Sequence, residues 1–431
     1  MWETDLRKAS ISEEMDRLEL LAPAGDLEKL KVAIIYGADA VYFGGEDFSL
    51  RAGAGGLGIE EMKEGLAFAH ERGKKCYLTI NIYAHNEDIE PLYAYLNTIK
   101  DLPLDGILVS DPGIMMMVRE VIPNAEIHLS TQANLTNSKT AEFWREMGMK
   151  RLVLARELSI EEIKGIREKL PDDVELEAFV HGAMCISYSG RCLLSNFMTG
   201  RDSNRGACAH PCRYRYVLEE EKRPGEFYPI EEDKRGTYIM NSKDLCMIEH
   251  IPELVGAGVS SAKIEGRMKS IFYIAEVISA YRKAIDAYYE DPSSWKFKQE
   301  WMDELKKASH REFTTGFYFD YPDDAQNYGT SSYIKTYTFT GLALWYYPDV
   351  EGVLVEQRNK MVVGDEVEFF GPDGRCFTQR INKMWDYESG EEITEAPHPK
   401  QKILIKTDEP VSEYYMIRKK IENSEEEQNV I

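Results

Sequence analysis

Missing from this 431-residue chain is any run of about 18 apolar residues, the length a membrane-crossing helix needs. Its first sixteen residues, MWETDLRKASISEEMD, are charged where a signal peptide requires an apolar centre. A soluble, cytoplasmic protein with no membrane partner is the expectation. H-E-x-x-H and G-x-S-x-G are also absent, which removes the common zinc-peptidase and α/β-hydrolase signatures. Positive charge is in short supply: 52 Lys and Arg against 75 Asp and Glu leave a net charge of -23. Such a field repels polyanions unless basic residues are gathered locally.

What is present is enough apolar sequence, 43% of the chain, to bury a large core and divide into a main domain and an appendage. Short apolar runs, each followed by an amphipathic helical stretch, recur from residue 18 to about residue 290. That is the pattern of repeated βα units around a parallel sheet. LELLA at 18–22, AVYFG at 40–44, CYLTIN at 76–81 and GILVS at 106–110 read as the first four strands. EIHLST at 126–131, RLVLA at 151–155, ELEAFV at 175–180 and SAKIEG at 261–266 complete eight. Eight such units close into a (β/α)8 TIM-like barrel, with reactive groups at the C-terminal strand ends. Some polar residues at those ends are expected to cap helices, notably Asp26, Asp111 and Ser159.

From about residue 330 the pattern alternates, as in YTFTGLALWYY and QKILIKTDE, with Gly-Pro-Asp-Gly as a turn. A small C-terminal antiparallel β-barrel domain is expected there. The organisation is then an extension at 1–16, the barrel at 17–330, the β domain at 331–420 and a disordered acidic tail at 421–431. A cysteine-rich insertion at 181–260 interrupts the seventh unit, and long insertions at the active face of a barrel usually carry function.

Five of the seven cysteines lie in that insertion. Six residues separate Cys185 from Cys192, fifteen separate Cys192 from Cys208, three separate Cys208 from Cys212, and thirty-three separate Cys212 from Cys246. In a reducing compartment clustered thiols more often bind metal or react than form disulfides. Four thiolates can hold zinc or a 4Fe-4S cluster. Zinc sites usually show two close pairs, whereas only Cys208 and Cys212 form one here, so the spread spacing fits a cluster better. Cys76 and Cys376, each isolated, read as ordinary packing residues. The same stretch is basic: Arg191, Arg201, Arg205, Arg213 and Arg215 face only Asp202 between residues 191 and 215. Such a patch suits a phosphate backbone or an anionic metabolite, or is simply a solvated loop face. Gly53, Gly55 and Gly58 fit G-x-G-x-x-G but sit eight residues beyond the second strand, too far for a dinucleotide turn.

ELEAFVHGAMCISYSGRC closely resembles the signature of the collagenase-like peptidase family U-32. LLAPAGDLEKLKVAIIYGADAVYFGG and AKIEGRMKS resemble its other characteristic blocks, and the likeness continues into the β domain. Despite its name, the family includes iron–sulfur proteins that hydroxylate ubiquinone precursors and RNA bases. The resemblance is greatest to its tRNA hydroxylation branch, which implies prephenate-dependent formation of 5-hydroxyuridine at the wobble position. It also implies cluster ligation by Cys185, Cys192, Cys208 and Cys246. Cys212 is spare on that assignment, whereas relatives that use both members of a C-x-x-x-C pair would bring it in.

Glu177, His181, Lys263, Glu265 and Arg267 fall in the shared blocks and are the catalytic candidates. Arg51, Asn81 and Arg156 are candidates for holding the small anion, with Arg156, Lys263 or Arg267 pairing prephenate carboxylates. A barrel mouth admits a splayed anticodon base but not a duplex, so a tRNA anticodon is the expected macromolecular partner. A related protein chain is a further expected partner, since some relatives work as pairs. The competing readings are a zinc-stabilised RNA-binding scaffold and a collagenase-like peptidase.

Overall fold

The structure, a computed structural model, describes residues 17–46, 48, 49, 56–184, 192, 194–201, 208, 209, 211, 217–219, 227–229, 243–319 and 333–421. Arg51, Cys185, Cys212, the extension, nearly all of the tail and every arginine of the basic stretch except Arg201 lie outside them.

The eight barrel strands are β1 (Glu19–Pro23), β2 (Ala40–Gly44), β3 (Lys75–Ile80), β4 (Gly106–Val109), β5 (Ile127–Leu129), β6 (Arg151–Val153), β7 (Glu175–Ala183) and β8 (Ser261–Ile264). Each pairs in parallel with the next, and β8 pairs with both β7 and β1, so the sheet closes. Helices lie between consecutive strands, as the repeated sequence pattern requires. Several start where a side-chain oxygen meets orphan backbone N–H groups, the three caps expected from the sequence among them. Asp26 accepts from the Lys29 amide at 2.8 Å, Asp111 from Gly113 at 2.7 Å, and Ser159 from Glu162 at 3.3 Å. The Glu162 carboxylate accepts the Ser159 amide in return, a capping box, and each such cap contributes about 1 kcal/mol.

Strand β7 runs three residues beyond the ELEAFV segment. The cause is a returning strand, Asp244–Cys246, which pairs antiparallel with His181, Gly182 and Ala183 and gives their backbone groups partners. Phe313–Thr314 then adds in parallel to Asp244–Cys246. The insertion is thereby tied back to the C-terminal end of β7. Gly182 takes φ 104° at this junction, and a Cβ there would stand 2.5 Å from the Glu265 carbonyl oxygen. Only glycine fits.

Residues 337–420 form an eight-stranded antiparallel curled sheet, with a two-stranded ribbon of Met361–Val362 and Glu395–Ala396. Gly-Pro-Asp-Gly makes the turn between Glu366–Phe370 and Cys376–Arg380, where the Gly371 amide donates to the Arg375 carbonyl at 2.9 Å. This domain shares core with the barrel: Leu342, Phe370 and Met416 pack into the same buried cluster as the barrel residues. Phe272 stacks on Phe339 at 5.5 Å, and the Tyr36 hydroxyl, between the carbonyls of Phe370 at 3.0 Å and Tyr414 at 2.8 Å, spans the same seam.

At that seam Arg418 is fully buried among Glu276, Glu304 at 2.6 Å and Glu368, with Lys307 3.0 Å from Glu304. Three carboxylates face two cations, so one is best kept neutral. Burial raises the Glu276 carboxyl to about 8; Arg418 opposes the rise and Glu304 adds to it. Between the ordinary carboxyl range and that value the folded chain binds a proton that the unfolded chain releases. Stability therefore falls as pH rises through about 8. Glu276→Gln should remove that dependence. The midpoint of thermal unfolding, measured from about pH 5 to about pH 9, should fall towards high pH in the wild type and fall distinctly less in the variant. Parallel curves would show that Glu276 does not carry the proton.

Candidate active site at the barrel mouth

The barrel interior carries a cluster of buried charge among its apolar side chains. Arg151, the first residue of β6, reaches Glu19 of β1 at 2.5 Å, Glu175 at 2.5 Å and Glu177 of β7 at 3.2 Å. Glu19 also accepts from the Tyr77 hydroxyl at 2.7 Å and the Ser261 hydroxyl at 2.9 Å. Side chains from β1, β3, β6 and β8 can meet in this way only across the interior. One layer higher, Lys263 Nζ lies 2.5 Å from Glu177 Oε1, 4.3 Å from the centre of the Tyr42 ring and 5.5 Å from that of Phe179. Glu177 is wholly buried, which alone would raise its pKa, but Lys263 and then Arg151 outweigh burial and hold it below the ordinary carboxylate value.

Above this layer lies the mouth, and its two sides differ. One arc is cationic. Arg156, just past β6, donates to the Ala183 carbonyl at 2.8 Å and stands 5.1 Å from the Phe179 ring centre. Arg267, just past β8, donates to the Ser49 hydroxyl at 3.0 Å. Its guanidinium occupies the space over Gly44, where a Cβ would come within 2.3 Å of Nη2. Glycine at the end of β2 is what admits that arginine.

The other arc is neutral. Asn81, two residues beyond the inward-facing Thr79 position of β3, donates to Gln132 Oε1 at 2.9 Å. The Ser130 hydroxyl donates to the same oxygen at 2.6 Å, and the Ser110 hydroxyl donates to the Asn81 carbonyl at 3.4 Å. Gln132 sits in a short 3-10 turn, Thr131–Ala133, closed by Asn134 at φ 53°, a left-handed conformation asparagine tolerates. Sequence reading passed over Gln132 as one more polar strand end. Its signal was the run Ser-Thr-Gln-Ala-Asn, unusually dense in amides and hydroxyls for a strand exit.

The catalytic candidates thus divide. Glu177 and Lys263 are brought together inside the barrel, and Arg267 lies at the rim. Glu265 is half-buried, and its carbonyl accepts from the Tyr273 hydroxyl at 3.0 Å. His181 is enclosed by the rings of Tyr281 at 5.5 Å, Phe313 at 5.6 Å and Tyr273 at 6.1 Å. Burial lowers its imidazole to about 3, with Lys269 and His310 adding to the effect, so it is neutral.

Of the candidate ligands, Cys246 lies beside His181 in the β7 pairing, with its Sγ 3.9 Å from the Tyr281 hydroxyl. Cys192 Sγ accepts the Leu194 amide at 3.4 Å. Cys208 precedes Ala209, whose amide donates to the Ser195 hydroxyl at 2.9 Å, so the helix Leu194–Thr199 links the Cys192 and Cys208 segments. Donors directed at sulfur suit thiolates that ligate metal, and to that extent the residues fit a cysteine-held centre. Among the described residues no three His, Cys, Asp or Glu side chains gather as a metal site, and two of the five insertion cysteines lie outside them.

The model for peptidase family U32 matches residues 25–328, and that for the family's C-terminal domain matches residues 335–418. The chain belongs to peptidase family U32. Among its U32 relatives is tRNA hydroxylation protein P1 of Bacillus subtilis, 48% identical over 402 residues, covering 93% of this chain and 94% of the relative. tRNA hydroxylation protein P of Escherichia coli is 39% identical over 406 residues, covering 84% and 87%. A solved C-terminal domain of a U32 peptidase from Geobacillus thermoleovorans is 48% identical and covers 19% of this chain and 99% of its own, at a TM-score of 0.19. No described helix is long and apolar enough to cross a membrane.

Glu177 is the buried counter-charge for Lys263. Glu177→Ala should lower the unfolding free energy in urea by about 3–5 kcal/mol, because it leaves an ammonium stranded in the barrel. Glu177→Leu combined with Lys263→Met should lose clearly less. If the double variant proves as unstable as the single one, charge pairing is not what Glu177 supplies.

Proposed function

We propose that this U32 chain is a cytoplasmic iron–sulfur protein that hydroxylates the wobble uridine of tRNA to 5-hydroxyuridine, with prephenate as co-substrate. The observation that carries the reading is the likeness, over nearly the whole chain, to relatives named for tRNA hydroxylation. The geometry supports it in two ways. The mouth offers fixed guanidinium groups, Arg156 and Arg267, suited to the two carboxylates of prephenate. An eight-stranded barrel mouth admits a single unstacked base but not a duplex, and an anticodon presents such a base without a duplex having to enter.

Cys192, Cys208 and Cys246, together with Cys185, are the proposed ligands of a 4Fe-4S cluster, and such a cluster supplies one-electron redox capacity when bound. The chain's own residues do the rest. Arg156 and Arg267 orient the anion. Tyr42 and Phe179 cover the charged layer below and keep water from reaching it. Lys263 and Glu177, locked to each other, fix the floor electrostatically.

The test is the 5-hydroxyuridine content of tRNA from a strain lacking this gene and any paralogue, measured by mass spectrometry before and after complementation. Loss and restoration are expected, and an unchanged level would defeat the reading. Anaerobically purified protein should contain iron and sulfide. Cys192→Ser, Cys208→Ser and Cys246→Ser should each reduce both, whereas Cys76→Ser, buried in β3, should not. Zinc in place of iron and sulfide would favour an RNA-binding scaffold.

A further inference from the structure

The Gln132 side chain is held in one orientation. Its Oε1 accepts from Asn81 at 2.9 Å and from Ser130 at 2.6 Å, so both acceptor positions of the oxygen are taken. Its Nε2, in a residue only 3% exposed, meets no acceptor among the described residues. A buried donor left unpaired costs about 1–3 kcal/mol, and binding sites are where such costs are carried. The position is the inner rim. Ser130 continues the inward alternation of His128 on β5, and Asn81 continues that of Tyr77 and Thr79 on β3, so the amide between them borders the mouth. Asn134, whose Nδ2 donates to the Gln132 carbonyl at 2.8 Å, lies beside the same turn, and its Oδ1 has no donor among the described residues.

A donor that cannot turn into an acceptor selects between pyrimidines. Uracil presents a carbonyl oxygen at C4 and cytosine an amine. We propose that Gln132 is the specificity-determining residue of this site, donating from Nε2 to the C4 carbonyl of the inserted uracil and disfavouring the cytosine amine. Asn81 and Ser130 are positioning residues that keep Oε1 occupied. The cationic arc of Arg156 and Arg267 remains available for the anionic co-substrate, so the two ligands meet different chemistry on opposite sides of one mouth. This inference rests on the tRNA reading above and adds which residue reads the base.

The experiment compares binding of the full-length protein, purified anaerobically, to two anticodon stem-loop RNAs that differ only in uridine or cytidine at the wobble position. Wild type should prefer uridine by about tenfold, the worth of one well-formed hydrogen bond against a mismatched pair. Gln132→Glu, nearly isosteric but offering only acceptors, should lose or reverse that preference, and Gln132→Ala should abolish it. A general loss of folding would lower both affinities together and would show in the thermal midpoint. It would not change their ratio. Equal binding of both RNAs by wild type, or an unchanged ratio in both variants, overturns the inference. That outcome leaves the hydroxylation reading standing if complementation still restores 5-hydroxyuridine. Conversely, a uridine preference that Gln132→Glu reverses would stand even if the deletion strain kept its modification.

Discussion

Arg151 sets the register of the barrel strands from within. A closed eight-stranded barrel must fill its interior, and most do so with layers of branched aliphatic side chains. Here one guanidinium meets carboxylates from β1 and β7, and a lysine from β8 adds a second cation one layer higher. Such pairs gain little net stability over an apolar core of the same volume, because desolvation offsets most of the attraction. What they impose is register. Sliding any contributing strand by one residue would turn its charge outward and strand its partners in a low-dielectric interior. The charged layers therefore fix how far each strand projects into the mouth, and so where Asn81, Ser130, Arg156 and Arg267 emerge.

The barrel was legible because its strands are short, apolar and regularly spaced, and a periodic signal survives without knowledge of contacts. The charged interior was written in the same segments but is harder to read. Glu175 and Glu177 stand two apart in ELEAFV, which places them on one face of the strand. Nothing local says that they meet Arg151, since the arginine and its partners are up to 132 residues apart. His181 shows a different limit of the sequence. A histidine in a shared block invites an acid–base role, yet three aromatic rings close around it and favour the neutral form. Burial by distant aromatic residues has no signature in the strand itself. Arg418 escaped for the same reason, since its carboxylate partners come from two barrel-side helices and a separate strand of its own sheet.

The extended β7 is the structural link between scaffold and chemistry. An ordinary barrel strand would end near Val180 and release the chain into a loop. The antiparallel return of Asp244–Cys246 instead prolongs the ladder and fixes both ends of the insertion against the rigid sheet. The cysteine segment is thus an excursion with anchored feet, and Cys246 sits in one of those feet, directly before Met247 and Ile248, which are fully buried in the barrel's core. Groups held on strands are placed more precisely than groups held on free loops. The anchoring also brings Ala183 within reach of Arg156, so the rim arginine and the insertion's first foot are joined by a hydrogen bond.

Overall charge and local chemistry pull in opposite directions, and the mouth resolves the conflict by distance. A chain at -23 repels a nucleic-acid backbone at long range, but at physiological salt that repulsion is largely screened beyond about 8 Å. Inside a concave, low-dielectric mouth the relevant charges are the nearest ones, and these include Arg156 and Arg267 with their guanidinium groups already oriented. Specific polar contacts in such a place count for more than the sum over the surface. That division of labour lets the acidic exterior discourage nonspecific binding of polyanions while a short, exposed segment of one can still be held. The neutral amide arc of Asn81 and Gln132 then bears on selectivity rather than affinity, because its hydrogen bonds carry direction and no net charge.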